Sequence, residues 1–227
     1  PEQVDYIFIT HHHADHIGDL GDVLISAWHL GRKKPVHVFG PPGTQEIVNA
    51  LLNVVYKRDI DFALASEEET HPADFIEIRD ITAEAIVENE VWQVQADTVK
   101  HGHRLSQTKF PCLGYRLETE EKTLTLTGDL VASESWYALA KDADVLIQSC
   151  HLAKAELTTA ALQDLAEHVI ADSSQVGKMA AQAGVKTLVL THFRKKSRAL
   201  MRSLQDDVQK DFSGELILGE DLLELSI

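Results

Sequence analysis

The chain has 227 residues, 44% of them apolar, enough for a sizeable core. Its 36 acidic against 21 basic side chains give a formal charge of −15, which argues against nonspecific binding to nucleic acid or anionic membranes, since both depend on clustered Lys and Arg. Two cysteines without C-x-x-C spacing read as buried thiols and fit a reducing compartment without requiring one, and no apolar run reaches the roughly 18 residues of a membrane span.

The first predicted element is a buried strand over residues 4–10, "VDYIFIT". The chain starts at Pro1, almost on this strand, so an N-terminal piece is expected to be missing. A cytoplasmic location is expected, with secretion left open for the same reason. Residues 17–30 read as a helix with Leu20, Val23, Leu24, Ala27 and Trp28 on one stripe. The basic run Arg32-Lys33-Lys34 reads as a solvated face. Residues 36–39 form a short strand, "GPPG" at 40–43 a turn and 44–55 a helix. An acidic loop at 67–70 precedes three alternating segments, 75–79, 83–87 and 91–96, which read as a meander.

Two further strands, 113–118 and 123–127, are joined by a short polar turn at 119–122. A helix at 133–141, a strand at 145–148 and helices at 158–168 and 173–183 follow, with Gly184 as a C-cap. "TLVLT" at 187–191 is a strand, Arg194-Lys195-Lys196 a second solvated run, and 197–211 a helix. Residues 215–218 and 222–225 read as a closing pair of strands. This order is mixed α/β, so sheet layers covered by helices are expected.

The chemistry concentrates in "THHHADH", where four histidines and an aspartate occupy positions 11–16. Alternate residues of an extended segment share a face, so His11 and His13 can grip one metal together. Asp15 and His16 fall where the chain turns into the helix and can serve a second ion. His12 faces the other way and reads as a non-ligand that packs or hydrogen-bonds behind the site. A tag fragment, a solvated loop or a set of core histidines would explain the run less well. Three later stretches supply further ligands at predicted strand ends: His101 in "DTVKHGH", with His103 as competitor, Asp129 in "TLTLTGDL" after a Gly that permits a sharp turn, and His192 in "TLVLTHF". Imidazole and carboxylate without thiolate suit two divalent ions, Zn²⁺ first, with Mn²⁺ or Fe as alternatives. A carboxylate can bridge two ions, and Asp129 is the choice for that role.

The order H-x-H-x-D-H, then His, Asp and His, resembles the metallo-β-lactamase superfamily over essentially the whole chain. The resemblance implies an α/β fold, a four-layer αββα sandwich with a dinuclear site at one edge, as a single domain over residues 1–227. It implies His11, His13 and His101 on the first ion, Asp15, His16 and His192 on the second, and Asp129 between them. The family normally opens with several strands before the first motif, so the first strands are expected to be missing.

"VHVFGPPGTQEIVNALL", "LGYRLE" and "AEHVIADSSQVGKMAAQAGVKTLVLTHF" are similar to the ribonuclease Z and arylsulfatase-like branch. His168 matches the histidine that contacts the substrate's leaving oxygen in ribonuclease Z, against the alternative of a surface His at a helix–loop corner. Two departures stand out. Only residues 119–122 separate the two strands where ribonuclease Z carries its tRNA-gripping arm, which with the charge of −15 tells against a nucleic-acid partner. The family's His-Glu pair is replaced by Gln148-Ser149, leaving Ser149 or His151 to orient His168.

The expected activity is dinuclear metal-dependent hydrolysis of a small anionic ester, a phosphodiester or aryl sulfate, by a metal-bound hydroxide. Asp15 would orient the hydroxide and His168 would donate to a substrate or leaving-group oxygen. Carboxylic ester or lactone hydrolysis at the same site, and a non-catalytic metal-binding scaffold, are the alternatives. No membrane partner is expected, and the resemblance implies a homodimer.

Overall fold

A computed structural model describes residues 1–66, 69–102 and 109–225. The chain divides into two compact units, Pro1–Thr82 and Ala83–Ile227.

In the first unit, β1 (Tyr6–Phe8), β2 (Val36–Gly40) and β3 (Ile76–Asp80) form a parallel sheet in that order. Parallel neighbours require crossovers, supplied by α1 (Ala14–Ile17) and α2 (Leu20–His29), then by α3 (Thr44–Ala50), a π turn (Leu51–Val55) and α4 (Lys57–Ser66). Leu24, Ile25 and Trp28 of α2 bury against Val38 of β2 and Val48 of α3. The expected helical stripe is there, but Val23 is only half-buried and Ile25 belongs to the core. The predicted helix over 17–30 begins with the separate turn α1 and resumes at Leu20. The one over 44–55 widens into the π turn after Ala50. α4 has no counterpart among the predicted elements, because it buries only Ile60 and so carries almost no apolar stripe.

The second unit holds a seven-stranded sheet in the order β10-β9-β8-β7-β6-β5-β4. β4 (Ile86–Glu88), β5 (Trp92–Thr98), β6 (Leu113–Thr119) and β7 (Thr123–Leu126) form an antiparallel meander. β7, β8 (Val145–Ser149), β9 (Thr187–Thr191) and β10 (Glu215–Leu218) are parallel, linked through α5 (Glu134–Ala140), α6 (Ala160–His168), α7 (Ser173–Ala183) and α8 (Arg198–Gln209). Helix starts follow capping chemistry. Ser133, Thr159, Asp172 and Ser197 each accept a backbone N–H of the first turn, and Gly184 ends α7 in the left-handed conformation at φ 68°. Gly177 lets α7 lie directly on α8: a Cβ there would sit 2.5 Å from the Val208 carbonyl oxygen.

Three expectations need correcting. The segment at 75–79 does not join the meander, since β3 pairs in parallel with β2 in the other sheet. Period-2 alternation identifies a strand but not its partner. Residues 222–225 form no strand, and Leu222 stands 98% exposed in a turn at φ 64°. The basic runs are not wholly solvated either. Arg32 is 7% exposed, donating to the carbonyls of Glu2, Lys34 and Pro35 and to the Asp5 carboxylate. Lys196 is likewise buried, on Glu156. A charge is buried when a cage of acceptors surrounds it, and sequence runs do not reveal cages.

Candidate metal centre

Four expected ligands leave the C-terminal end of β1. The Ile9 amide still bonds the Phe39 carbonyl at 2.8 Å, so the chain enters the loop from a fixed register. Thr10 and His11 are buried, with the Thr10 hydroxyl 3.1 Å from His11 Nδ1. That bond turns His11 Nε2 toward His13 Nδ1, 3.0 Å away. The His13 carbonyl accepts the His16 amide at 2.9 Å, closing the turn of α1. It brings the His16 ring to 4.0 Å from that of His11, centroid to centroid, with the Asp15 carboxylate 3.7 Å from His16 Nε2. All four donors therefore gather on one loop.

His12 turns the other way. Its Nε2 lies 2.8 Å from the Thr44 hydroxyl, which donates to the Pro41 carbonyl at 2.7 Å and so accepts from His12. Asp80 braces the same turn by accepting the amides of Gly43 and Gln45, at 2.8 and 2.9 Å. Burial holds His12 below the ordinary imidazole range, with the nearby Asp80 pulling the other way.

The second unit carries its donors at the ends of adjacent strands. Asp129 follows β7 after Gly128, whose φ of 62° makes the sharp turn, and is 5% exposed. His192 follows β9, with Nε2 3.6 Å from the Asp129 carboxylate. The stretch after β5 bridges to the Asp129 segment through Lys100 and Val131. That places His101, whose Nδ1 donates to the Val169 carbonyl at 2.7 Å, the tautomer in which Nε2 could serve as a ligand atom. His103 lies outside the described residues. His168 ends α6 next to Val169, 3.8 Å from Asp164 one turn earlier. Ser149, one candidate to orient it, donates to the Gly128 carbonyl instead, and Gln148 is buried against Met179. His151, the other, sets its Nδ1 3.2 Å from His192 Nδ1. Burial, then the neighbouring His192 and Arg194, hold His151 below the ordinary imidazole range.

The donors in both units fit divalent ions. Zinc bound to nitrogen at about 2.0–2.1 Å keeps tetrahedral ligands roughly 3.3 Å apart, close to the His11–His13 separation. Among the described residues the clustered donors are imidazole and carboxylate, with no cysteine among them. Burial pushes both cysteines up to about 12, helped at Cys112 by the Asp129 charge. Sequence reasoning missed Thr10, Thr44 and Asp80. Thr10, adjoining the cluster, and the "GPPGT" turn were the available signals.

Residues 1–193 match the family model described as "Beta-lactamase superfamily domain". The chain is 29% identical over 230 residues to "Ribonuclease Z" of Mycobacterium avium (strain 104), covering 97% of this chain and 79% of that protein. Among solved structures it resembles human tRNase Z, short form, with a TM-score of 0.68 and 21% identity, over 100% of this chain and 80% of that one. It also resembles the metallo-β-lactamase fold protein YhfI from Bacillus subtilis, with a TM-score of 0.66 and 21% identity, over 96% and 76%. The fold is therefore the metallo-β-lactamase fold. No helix among the described residues is long and apolar enough to cross a membrane.

These matches overturn the expectation that a nucleic-acid partner is unlikely. Two of the three similar proteins are named for RNA cleavage. A net charge of −15 sums the whole surface, whereas a cleaved phosphodiester meets only the few groups around the reacting phosphorus.

Proposed function

The chain belongs to the beta-lactamase superfamily and is a metal-dependent hydrolase of ester bonds, and we propose that its ester is a phosphodiester, with RNA as the first substrate class to test. The observation that carries the metal-dependent part of this reading is the gathering of His11, His13, Asp15 and His16 on one loop, a set of imidazole and carboxylate donors that suits a divalent ion. The 29% identity to a ribonuclease Z along 97% of the chain supports the choice of phosphorus over sulfur or carbon.

In this proposal His11, His13 and His101 hold one divalent ion, Asp15, His16 and His192 a second, and Asp129 serves both. Zn²⁺ is the first choice, given imidazole and carboxylate donors without thiolate. When bound, such ions supply Lewis-acid charge that polarises a phosphoryl oxygen and makes water acidic near neutral pH. The chain's own residues do the rest. The Val169 carbonyl can only accept, so it fixes the proton of His101 on Nδ1, the tautomer in which Nε2 would hold an ion, and the Thr10 hydroxyl orients the ring of His11. Asp15, exposed on the loop, would also orient the attacking water. His168 is proposed to donate to the leaving oxygen. An aryl leaving group departs as the anion and needs this donor less than an RNA hydroxyl does.

A substrate panel tests the reading. Bis(p-nitrophenyl) phosphate, an RNA oligonucleotide, an aryl sulfate and a lactone are each assayed with Zn²⁺ and with Mn²⁺. Phosphodiester cleavage that exceeds the other two classes and is abolished by chelator is expected. Chelator-resistant activity, or faster turnover of lactone or sulfate, would contradict it.

A further inference from the structure

His192 sits in an unusual backbone state. Its φ is 62°, in the left-handed region, where a Cβ crowds the following carbonyl oxygen. Such a conformation persists only where neighbouring structure imposes it. Two sets of contacts in the second unit surround it.

The first is a buried clamp between the segments that leave β8 and β9. The Cys150 amide bonds the Thr191 carbonyl at 2.9 Å, extending the parallel pairing past Ser149 and Thr191. Beyond it, the fully buried Lys196 ammonium donates to the His151 carbonyl at 2.8 Å and to the Glu156 carboxylate at 2.5 Å. Glu156 in turn accepts the Ala153 amide at 2.8 Å. A buried ammonium held by a carbonyl and a carboxylate leaves the His151 backbone little freedom.

The second is the pairing of the rings. His151 Nδ1 and His192 Nδ1 are 3.2 Å apart, with ring centroids at 5.2 Å and planes inclined by 45°. Two ring nitrogens at that distance share one proton, so one donates and the other accepts. The opposite edge of His192 faces Asp129, Nε2 to carboxylate 3.6 Å. If Nε2 of His192 is the ligand atom, its proton must lie on Nδ1, and His151 must accept it there while carrying its own proton on Nε2.

We infer that His151 is a positioning residue: through its Nδ1 it fixes the ring and the tautomer of His192, and the Lys196–Glu156 pair holds His151 in place to do so. In metal sites this role usually falls to a carboxylate or a backbone carbonyl, as the Val169 carbonyl does for His101. The inference rests on the proposed metal centre, and its test separates the two.

The test compares wild type, His151→Phe and His151→Asn, each stripped with chelator and titrated with Zn²⁺ against a chromophoric competitor. Phe keeps the ring volume and loses the nitrogen. Asn keeps an acceptor near the position of Nδ1. His151→Phe is expected to weaken one of the two ions about 10–100-fold, leaving the other ion and the melting of the metal-free protein unchanged, and His151→Asn to restore most of the loss. Two ions held by His151→Phe as tightly as by wild type would overturn the inference but leave the metal centre standing, as would equal weakening in both variants. A wild type that takes up no Zn²⁺ overturns the metal centre and the inference with it. Should His151→Phe fail to fold, ¹⁵N spectra of Zn²⁺-loaded wild type decide instead. They should show His151 neutral with its proton on Nε2, and a proton on Nδ1 would refute the inference.

Discussion

Replacing Thr44 by Val is the cleanest probe of how the ligand loop is held. The two side chains match in shape, Thr44 is 1% exposed, and only the hydroxyl changes. That hydroxyl makes two bonds, accepting from His12 at 2.8 Å and donating to Pro41 at 2.7 Å. The Pro41 carbonyl keeps the Thr44 amide as a second donor at 3.1 Å, so it is not stranded. His12 loses this partner but is only half-buried, so water can recover part of the cost. Two net bonds at about 0.5–1.5 kcal/mol each put the loss near 2 kcal/mol. With a urea slope of about 2 kcal/mol per M, the unfolding midpoint should fall by about 1 M. Thr44→Ser should recover most of it. In a double-mutant cycle, Thr44→Val should cost about half as much on a His12→Phe background, because one of its two bonds is already gone. Strict additivity, or a shift under about 0.5 kcal/mol for Thr44→Val alone, would refute the idea that this bond anchors His12.

Other outcomes follow from the same geometry. His13→Ala should abolish phosphodiester turnover, whereas His12→Ala, which removes a brace and no proposed ligand, should reduce it far less; equal losses in a steady-state assay would refute this division. Lys196→Met should destabilise the metal-free protein by about 3 kcal/mol in urea unfolding, the low end for breaking a buried pair, since Glu156 keeps the Ala153 amide. The same pair sets an acid dependence. Burial raises the Glu156 carboxyl, but the bonds from Lys196 and Ala153 outweigh it and leave the group below its ordinary 4.5. A lowered folded-state value stabilises the protein above about pH 4.5 and is lost as pH falls through it, so Glu156→Gln should flatten urea stability against pH in that acid window. Gly177→Ala forces a Cβ to 2.5 Å from the Val208 backbone, so a thermal melt should show a loss of about 1–3 kcal/mol, and an unchanged melt would mean α7 and α8 shift apart freely.

Much of the site could be read from residue spacing because strand ends impose it. The alternation in "THHHADH" separates His11 and His13 from His12, and the structure sends His12 to Thr44 on the far side of the loop. Gly128 before Asp129 marks its sharp turn for the same local reason. What could not be read depends on partners distant in sequence. Nothing local says that β3 pairs with β2 and not with β4. Nothing in Arg194-Lys195-Lys196 says that the third residue is buried on Glu156. The left-handed His192 is likewise invisible without the Cys150–Thr191 bond and the Lys196 clamp that hold its surroundings. Net charge misled most, since −15 describes the whole surface and not the site.

The central claim is a two-ion centre that makes the chain a phosphodiesterase. Metal analysis of the purified protein after equilibration with Zn²⁺, combined with turnover of bis(p-nitrophenyl) phosphate on the same sample, tests it most directly. The account predicts about two ions per chain and activity that falls to background on chelation and returns with Zn²⁺. A metal-free sample with full activity would contradict it.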